Sequence, residues 1–446
     1  MNFQELPIDS RLKTAISKAG YVKPTPIQSQ ALPVTLQGGD VIGIAQTGTG
    51  KTAVFAVTAL QKMIHGPKKK ARTLIVTPTR ELAKQIYDNI KMLSGNTGIK
   101  AVTIYGGVSP KHQIEALNRG VEILVACPGR LLDLINQKYV SLRDIEVLVL
   151  DEADRMLDMG FMPDVKRIVK QIPGEHQTML FSATFPKEIS SLADQILDHP
   201  VKINVGFSNP AETVNHALYP VPFYLKTGLL LRILEKTETD SVLVFTRTKR
   251  RTYRLEKKIK AAGYKVTSLH GDRSQNQRDS AMKGFKQGIY QVMIATDVAS
   301  RGLDVDSISH VINYDIPDTV DAYVHRIGRT GRAERKGDAF TLVTPEDNKT
   351  VSAIEKRLGY SIKRVKFDDF DYDAPQNSPQ TRNKSEQAKN RHRRANKGGS
   401  GKKTTHHKKS SGKKSSHYHG KKSSSSKKNY QGAKGKNKQH HSHSKS

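Results

Sequence analysis

Two adjacent carboxylates, Asp151 and Glu152, close the apolar run Val147–Leu150, downstream of the small-residue segment Ala45-Gln46-Thr47-Gly48-Thr49-Gly50-Lys51-Thr52. These residue types together specify a nucleotide-hydrolysing site. One carboxylate can hold Mg²⁺ while the other polarises a water for phosphoanhydride cleavage. The glycines let backbone N–H groups approach phosphate oxygens, and a following helix N-terminus adds positive potential. Lys51 can then reach the terminal phosphates, and the Thr52 hydroxyl can ligate the metal. Taken singly, each motif has a plainer reading. The glycine segment, which opens on Ala45 where the general pattern has Gly, also fits an ordinary strand-to-helix turn, and Asp151-Glu152 also fits an acidic helix cap.

Such residues need strands to carry them. Short β-branched runs at Val41–Ile44, Thr73–Val76, Val102–Ile104, Ile123–Val125, Val147–Leu150 and Thr178–Phe181 alternate with amphipathic stretches such as Ala53–His65 and Leu82–Leu93. That alternation predicts an α/β fold with a parallel sheet covered by helices on both faces. The rhythm repeats at Ser241–Phe245, Lys265–Leu269, Gln291–Ala295, His310–Asn313 and Phe340–Val343, with helical stretches at Tyr253–Ala262, Asn276–Gln287 and Ala322–Ile327. Ser208, Asn209 and Pro210 mark residues 207–217 as the expected linker. Residues 1–206 and 218–365 then form two tandem α/β domains flanking a cleft.

The 446 residues carry a net charge of +32, which favours a polyanionic partner. Of that charge, +20 lies in Ala374–Ser446, a stretch of Lys, Ser, Gly, His, Asn and Gln. It has too little apolar content to repay ordering, so 366–446 is expected to be a basic, low-complexity, disordered tail that binds phosphates without sequence preference. Its scattered histidines read as polar filler. No apolar run approaches the ~18 residues a membrane span needs, no secretory signal opens the chain, and a membrane partner is not expected. A single cysteine, Cys127, excludes a disulfide framework and suits a cytoplasmic location.

Ala45–Thr52, Pro78-Thr79-Arg80-Glu81-Leu82-Ala83, Asp151–Asp154, Ser182-Ala183-Thr184 and His325-Arg326-Ile327-Gly328-Arg329-Thr330-Gly331-Arg332 occur in the order that defines the DEAD-box RNA helicases. The resemblance spans about residues 1–365. It implies two RecA-like domains and RNA-dependent ATP hydrolysis coupled to local duplex unwinding. The undecorated core and basic tail look most like the bacterial RhlE-like subgroup, with ribosomal or RNA-decay proteins as possible partners and roles in ribosome assembly, RNA decay or cold adaptation.

The resemblance also implies roles for particular residues. Within 1–28 it marks a nucleotide-selecting segment, with Gln28 pairing with an adenine edge and Phe3 stacking on the ring, alongside phosphate contacts from Gln46, Thr47, Gly48, Thr49 and Gly50. Asp304 resembles the residue that receives the ribose. Arg329 and Arg332 resemble arginine fingers supplied across the cleft, and Asp154, Ser182, Thr184, His325 and Arg326 an interdomain linkage. RNA contacts are implied for Thr79, Arg80, Gly106, Gly107, Pro128, Gly129, Arg130, Arg247, Gly271, Thr296, Arg301 and Gly302, all blind to sequence. A DNA helicase or translocase, and an ATP-gated RNA clamp without turnover, remain the alternative classes.

Overall fold

The computed structural model describes residues 2–46, 48–205, 214–237, 241–300, 308–331 and 337–376. Its central strands are short because each is a buried run that ends where a loop begins, while the edge strands Val201–Asn204 and Lys363–Arg364 are largely exposed. The first lobe contains β1 (Val41–Ile44), β2 (Thr73–Val76), β3 (Ala101–Ile104), β4 (Ile123–Ala126), β5 (Val147–Leu150), β6 (Gln177–Ser182) and β7 (Val201–Asn204), in the order β3-β4-β2-β5-β6-β1-β7. The second contains β8 (Val214–Pro220), β9 (Val242–Phe245), β10 (Val266–Leu269), β11 (Val292–Ala295), β12 (His310–Asn313), β13 (Gly337–Val343) and β14 (Lys363–Arg364), in the order β10-β11-β9-β12-β13-β8-β14. Neighbouring strands are parallel in both sheets. Each sheet buries side chains on both faces, giving two apolar clusters per lobe. This matches the expectation that runs such as Val147-Leu148-Val149-Leu150, apolar at every position, are central parallel strands.

The helices begin on side chains that satisfy their first amide groups. Thr79 accepts from Leu82 N at 3.3 Å, Thr248 from Arg251 N at 3.3 Å and Thr319 from Ala322 N at 3.2 Å. The helix expected at Ala53–His65 runs from Lys51 to Ile64, so Lys51 and Thr52 lie in its first turn. Two boundaries differ from the sequence expectation. Residues 214–217, assigned to the linker, open β8, where Val214, Ala217 and Leu218 are buried against the second sheet. Residues 366–376, assigned to the tail, return across the second lobe. There Phe367 stacks on Tyr219 with ring centroids 5.7 Å apart, and Phe370 meets Tyr372 at 4.9 Å. Asp369 pairs with Arg232 and Lys236 of the helix Lys226–Lys236, which ties the segment to the lobe. The remaining linker positions and the tail from 377 lie outside the described residues.

Candidate functional site

The loop after β1 is folded inward on its carbonyls. Lys51 Nζ donates to the Ala45 carbonyl at 2.7 Å, Thr25 Oγ1 to that of Thr49 at 2.8 Å, and Gln28 Nε2 to that of Gly50 at 3.0 Å. With the carbonyls occupied, the first N–H groups of the helix Lys51–Ile64, which have no acceptor inside the helix, are left for an anion. Only glycine suits residue 50. Its φ is +92°, and a Cβ there would sit 2.3 Å from Gln28 Nε2. Gly48, at φ +87°, gives the loop its other left-handed turn. Thr49 donates to the Gln46 carbonyl at 2.8 Å, while the buried Gln46 Nε2 has no acceptor among the described residues, an orphan donor that a phosphate oxygen would satisfy. Thr47 lies outside the described residues.

Two residues of the nucleotide-selecting segment are placed differently from the expectation. Phe3 is 1% exposed and packs at 5.8 Å from Tyr21, so it presents no open face to a purine in this structure. Both ends of the Gln28 amide are engaged by the protein, Nε2 by Gly50 and Oε1 by the Thr25 amide at 2.9 Å. The capping geometry of the helix Pro26–Leu36 thus holds Gln28 against the phosphate loop.

At the end of β5, Asp151, Glu152 and Asp154 are all buried. Burial raises the Asp151 carboxyl to about 7, Lys51 opposes this, and the neighbouring Glu152 adds to it. A buried carboxyl that ionises only reluctantly gains from a nearby cation. The donor set fits Mg²⁺, a hard ion that prefers carboxylate, hydroxyl, water and phosphate oxygens over an all-protein cage. No cluster of three or more His, Cys, Asp or Glu suited to a metal occurs among the described residues. Glu152 sits at φ +54°, a costly conformation for a residue with a Cβ, and its Oε2 meets Arg155 Nη1 at 2.9 Å. The left-handed turn lets consecutive acidic side chains leave the strand end in different directions.

Asp154 anchors the link to β6. Its Oδ2 accepts from Thr184 N at 2.9 Å and Thr184 Oγ1 at 3.1 Å, its own N–H donates to Ser182 Oγ at 3.1 Å, and Ser182 Oγ donates to the Thr184 carbonyl at 2.6 Å. Asp154, Arg155 and Thr184 then line one side of a cavity of about 410 Å³, faced from the second lobe by His325, Arg326 and Arg329. Burial, reinforced by Arg155, lowers His325 to about 4, so this imidazole is neutral at physiological pH. Arg326 differs from its assigned coupling role. It donates to Asp297 Oδ1 and Oδ2 at 2.6 Å each, to Asn313 at 3.0 Å and to the Asp315 carbonyl at 2.6 Å, all within its own lobe. Arg329 is buried at the cavity wall, while Arg332 and Asp304 lie outside the described residues.

A second interlobe contact was not anticipated. Arg278 Nε donates to Glu81 Oε1 at 2.7 Å, Gln275 Nε2 to the same oxygen at 3.4 Å, and Arg80 Nη1 to Gln275 Oε1 at 3.3 Å. The only signal for Glu81 was its place beside Thr79 and Arg80. Nothing in the spacing of Gln275 and Arg278 pointed to it.

The first-lobe positions assigned to RNA are gathered together. The Arg80 guanidinium lies so close over Gly107 that a Cβ there would sit 2.1 Å from it, and Arg130, in the helix that Pro128 and Gly129 open, reaches the Val108 carbonyl at 3.4 Å, with Gly106 on the same loop. Thr79, which follows β2 and precedes Arg80, is buried and serves as a helix cap. In the second lobe, Arg247 follows β9, Gly271 follows β10 and Thr296 follows β11, at the carboxyl ends where α/β sheets bind ligands. Arg301 and Gly302 lie outside the described residues. Burial pushes the Cys127 thiol up to about 12, which leaves it a packed, unreactive group.

A phosphate loop and an acidic strand end in one lobe, with Asp154 and Thr184 beside that strand end faced by arginine and histidine from a second lobe of the same strand order, define a two-lobed nucleoside-triphosphate-dependent enzyme of tandem RecA-like domains. Models of known families match in both lobes, the DEAD/DEAH box helicase over residues 25–192 and the helicase conserved C-terminal domain over 225–334. The DEAD-box ATP-dependent RNA helicase RhpA of Helicobacter pylori is 42% identical over 363 residues, covering 81% of this chain and 73% of that protein. CshA of Bacillus subtilis is 39% identical, covering 82% and 74%. Among solved structures, S. cerevisiae Dbp5 bound to RNA and ADP BeF3 superposes with a TM-score of 0.75 at 32% identity, covering 82% of this chain and 96% of that one. The chain belongs to the DEAD-box ATP-dependent RNA helicases, which makes it an RNA-dependent ATPase.

Proposed function

We propose that ATP hydrolysis in this helicase is gated by closure of the first lobe, residues 1–205, against the second, residues 214–376, around single-stranded RNA, with a short linker between them. The observation that carries the reading is the shared cavity in which Asp154 and Thr184 of one lobe face His325 and Arg329 of the other. Groups held by both lobes favour whichever arrangement satisfies them together, so nucleotide and RNA strengthen each other's binding.

Lys51 and the loop Gln46–Gly50 grip the β- and γ-phosphates, with Asp304 receiving the ribose, while selection of adenine by Gln28 and Phe3 requires the Gln28 amide to release Gly50 and Thr25 and the Phe3 ring to open from its packing against Tyr21. Thr52 and Asp151 would hold Mg²⁺, partly through water, and that ion would offset phosphate charge. Glu152 orients and polarises the attacking water, which requires its carboxylate to exchange some of its contact with Arg155. Arg329 and Arg332 bring positive charge to the γ-phosphate only when the lobes meet. Neutral His325, Ser182, Thr184 and Asp154 report that meeting to the acidic strand end. Arg326 acts as a positioning residue, holding the helix Val320–Ile327 to Asp297.

RNA is held through its backbone by Thr79, Arg80, Gly106, Gly107, Pro128, Gly129, Arg130, Arg247, Gly271, Thr296, Arg301 and Gly302, and the basic tail from 377 adds salt-sensitive affinity. The undecorated core with a basic tail supports a place in the RhlE-like bacterial subgroup, a cytoplasmic location and work on ribosomal or decaying RNA with the proteins found there. No helix among the described residues is long and apolar enough to cross a membrane.

The test is ATP turnover by the full chain with no nucleic acid, with RNA, and with DNA of the same sequence. RNA should raise turnover by at least tenfold and DNA much less, since the 2′-OH is the available discriminator. Turnover indifferent to RNA would remove the coupling, and equal stimulation by DNA would favour a DNA translocase.

A further inference from the structure

The helix Lys249–Ala261 is the most basic element of the described fold, with seven Lys and Arg against the single acid Glu256. Its buried side is Thr252, Leu255 and Ile259. At 100° per residue, Arg250, Tyr253, Arg254, Lys257 and Lys258 fall on one opposite stripe, and all five are exposed. Three of the helix's four other charges are already matched. Lys249 pairs with Asp272 at 2.7 Å, Arg251 with Asp315, and Glu256 is taken by Arg273 at 2.9 Å and Ser268 at 2.7 Å. Among the described residues, none of Arg250, Arg254, Lys257 and Lys258 has an acidic partner; Lys257 instead lies 4.5 Å over the ring of Tyr253. Arg250, Arg254 and Lys258 stand at i, i+4 and i+8, a spacing at which like charges destabilise a helix. Folding alone gives no reason for the stripe, whereas a polyanion lying along it does.

Its position identifies the polyanion. The helix starts two residues after Arg247, and Lys249–Asp272 ties its first turn to the loop of Gly271, both positions read above as RNA contacts. We propose that the Arg250–Tyr253–Arg254–Lys257–Lys258 face is a second RNA-binding surface, which takes the single strand as it leaves the interlobe cleft. The helix is roughly 20 Å long, so the stripe extends the strand path well beyond the cleft. The three i, i+4 cations meet successive phosphates, and Tyr253, 52% exposed, offers a ring on which an unpaired base stacks. A duplex, with its bases already stacked, would leave that ring unused. The proposal rests on the reading of this chain as an RNA helicase.

The test is ultraviolet crosslinking of the full chain, with a non-hydrolysable ATP analogue, to oligouridylates of about 6 and about 25 nucleotides, the shorter chosen to fill the cleft alone. Peptides containing Tyr253 should carry nucleotide adducts with the long RNA only. The triple variant Arg250→Ser, Arg254→Ser, Lys258→Ser should bind the long RNA about tenfold more weakly and lower its salt slope by about two, as expected for three lost single-strand phosphate contacts. It should bind the short RNA as before and keep RNA-free ATP turnover. Adducts elsewhere on the protein but none near Tyr253 with the long RNA would overturn the proposal and leave the helicase reading intact, with an acidic protein segment as the better occupant. Equal weakening on both RNAs would overturn it as damage to the cleft. No crosslink anywhere, with no RNA-stimulated turnover, would take down the helicase reading and this surface with it.

Discussion

The two lobes share a strand order, and their corresponding residues have opposite fates. β1 and β8 are each the sixth strand of their sheet, and each leads to a helix that begins with a buried lysine, Lys51 and Lys226. β5 and β12 are each the fourth strand, and each is followed closely by a buried aspartate, Asp151 and Asp315. In the first lobe a glycine loop separates strand from lysine, and Asp151 is met within the protein by the Glu152 amide at 3.0 Å. In the second lobe Val221-Pro222 replaces the glycines. Lys226 Nζ there donates to the carbonyls of Tyr314 at 3.1 Å and Leu342 at 2.9 Å, and Asp315 is held by Arg251 and by the Arg247 amide at 2.8 Å. The same scaffold positions carry a nucleotide site when the loop leaves N–H groups open, and a structural knot when side chains and carbonyls close on each other.

The sharpest way to break this comparison is to remove both lysines. Lys51→Ala should abolish ATP turnover, by about a thousandfold or more, with little change in melting temperature, since its role is toward phosphate. Lys226→Met should leave turnover of the folded protein near normal and lower the melting temperature of the second lobe, because buried carbonyls left without a donor cost about 1–3 kcal/mol each. Burial lowers the Lys226 pKa, and Asp347, 3.8 Å away, and Asp315 oppose that shift. The comparison fails if thermal melts and steady-state turnover show the reverse pattern.

A smaller effect is expected at the acidic strand end. Glu152→Gln preserves the size of the side chain and a hydrogen bond to Arg155, so ATP and RNA binding should persist while turnover falls by about a hundredfold. The second-lobe counterpart of the strand end, Asp315→Asn, should instead act on stability through Arg251. If Glu152→Gln hydrolyses ATP normally in the presence of saturating RNA, the water-polarising role belongs elsewhere.

Both sheets were legible in the sequence because parallel strands buried on two faces are continuous apolar runs, as in Val292-Met293-Ile294-Ala295. Three kinds of feature were not. Edge strands such as β7, exposed at all positions but Ile203, carry no such run. The segment around Phe367, Phe370 and Tyr372 hides its aromatics among aspartates and lies next to the basic tail, so composition assigns it to disorder while Arg232 and Lys236 bind it down. The contact of Glu81 with Arg278 joins residues that meet only once both lobes are folded, and no local pattern announces it. The phosphate loop and acidic pair were readable because their chemistry is local. Phe3 was not, because whether a ring packs in a core or stacks on a base depends on what surrounds it.

Arg278 tests whether that unannounced contact matters to closure. Arg278→Ala should weaken RNA binding in the presence of an ATP analogue by about tenfold, the cost of leaving Glu81 without its partner at a largely buried site. Binding of nucleotide alone, which does not need the lobes together, should stay unchanged. The exchange Glu81→Arg with Arg278→Glu should recover part of the loss. A fluorescence binding titration that shows equal losses in the single and exchanged variants would make the contact incidental.

The smallest effect concerns His325, whose pKa of about 4 in the closed cleft lies below the ordinary value of 6.5. When the lobes part and the imidazole meets water, it can take a proton below about pH 6.5, and closure must remove that proton. Closure is therefore favoured in full above that pH and weakens as pH falls toward 4, by about tenfold at pH 5.5. His325→Gln isolates this effect, since it keeps a hydrogen-bonding side chain but cannot titrate. RNA affinity with an ATP analogue, measured at pH 7.5 and 5.5, should fall more in the parent protein than in the variant. Identical pH profiles would mean that His325 closes against the first lobe without any cost in protons.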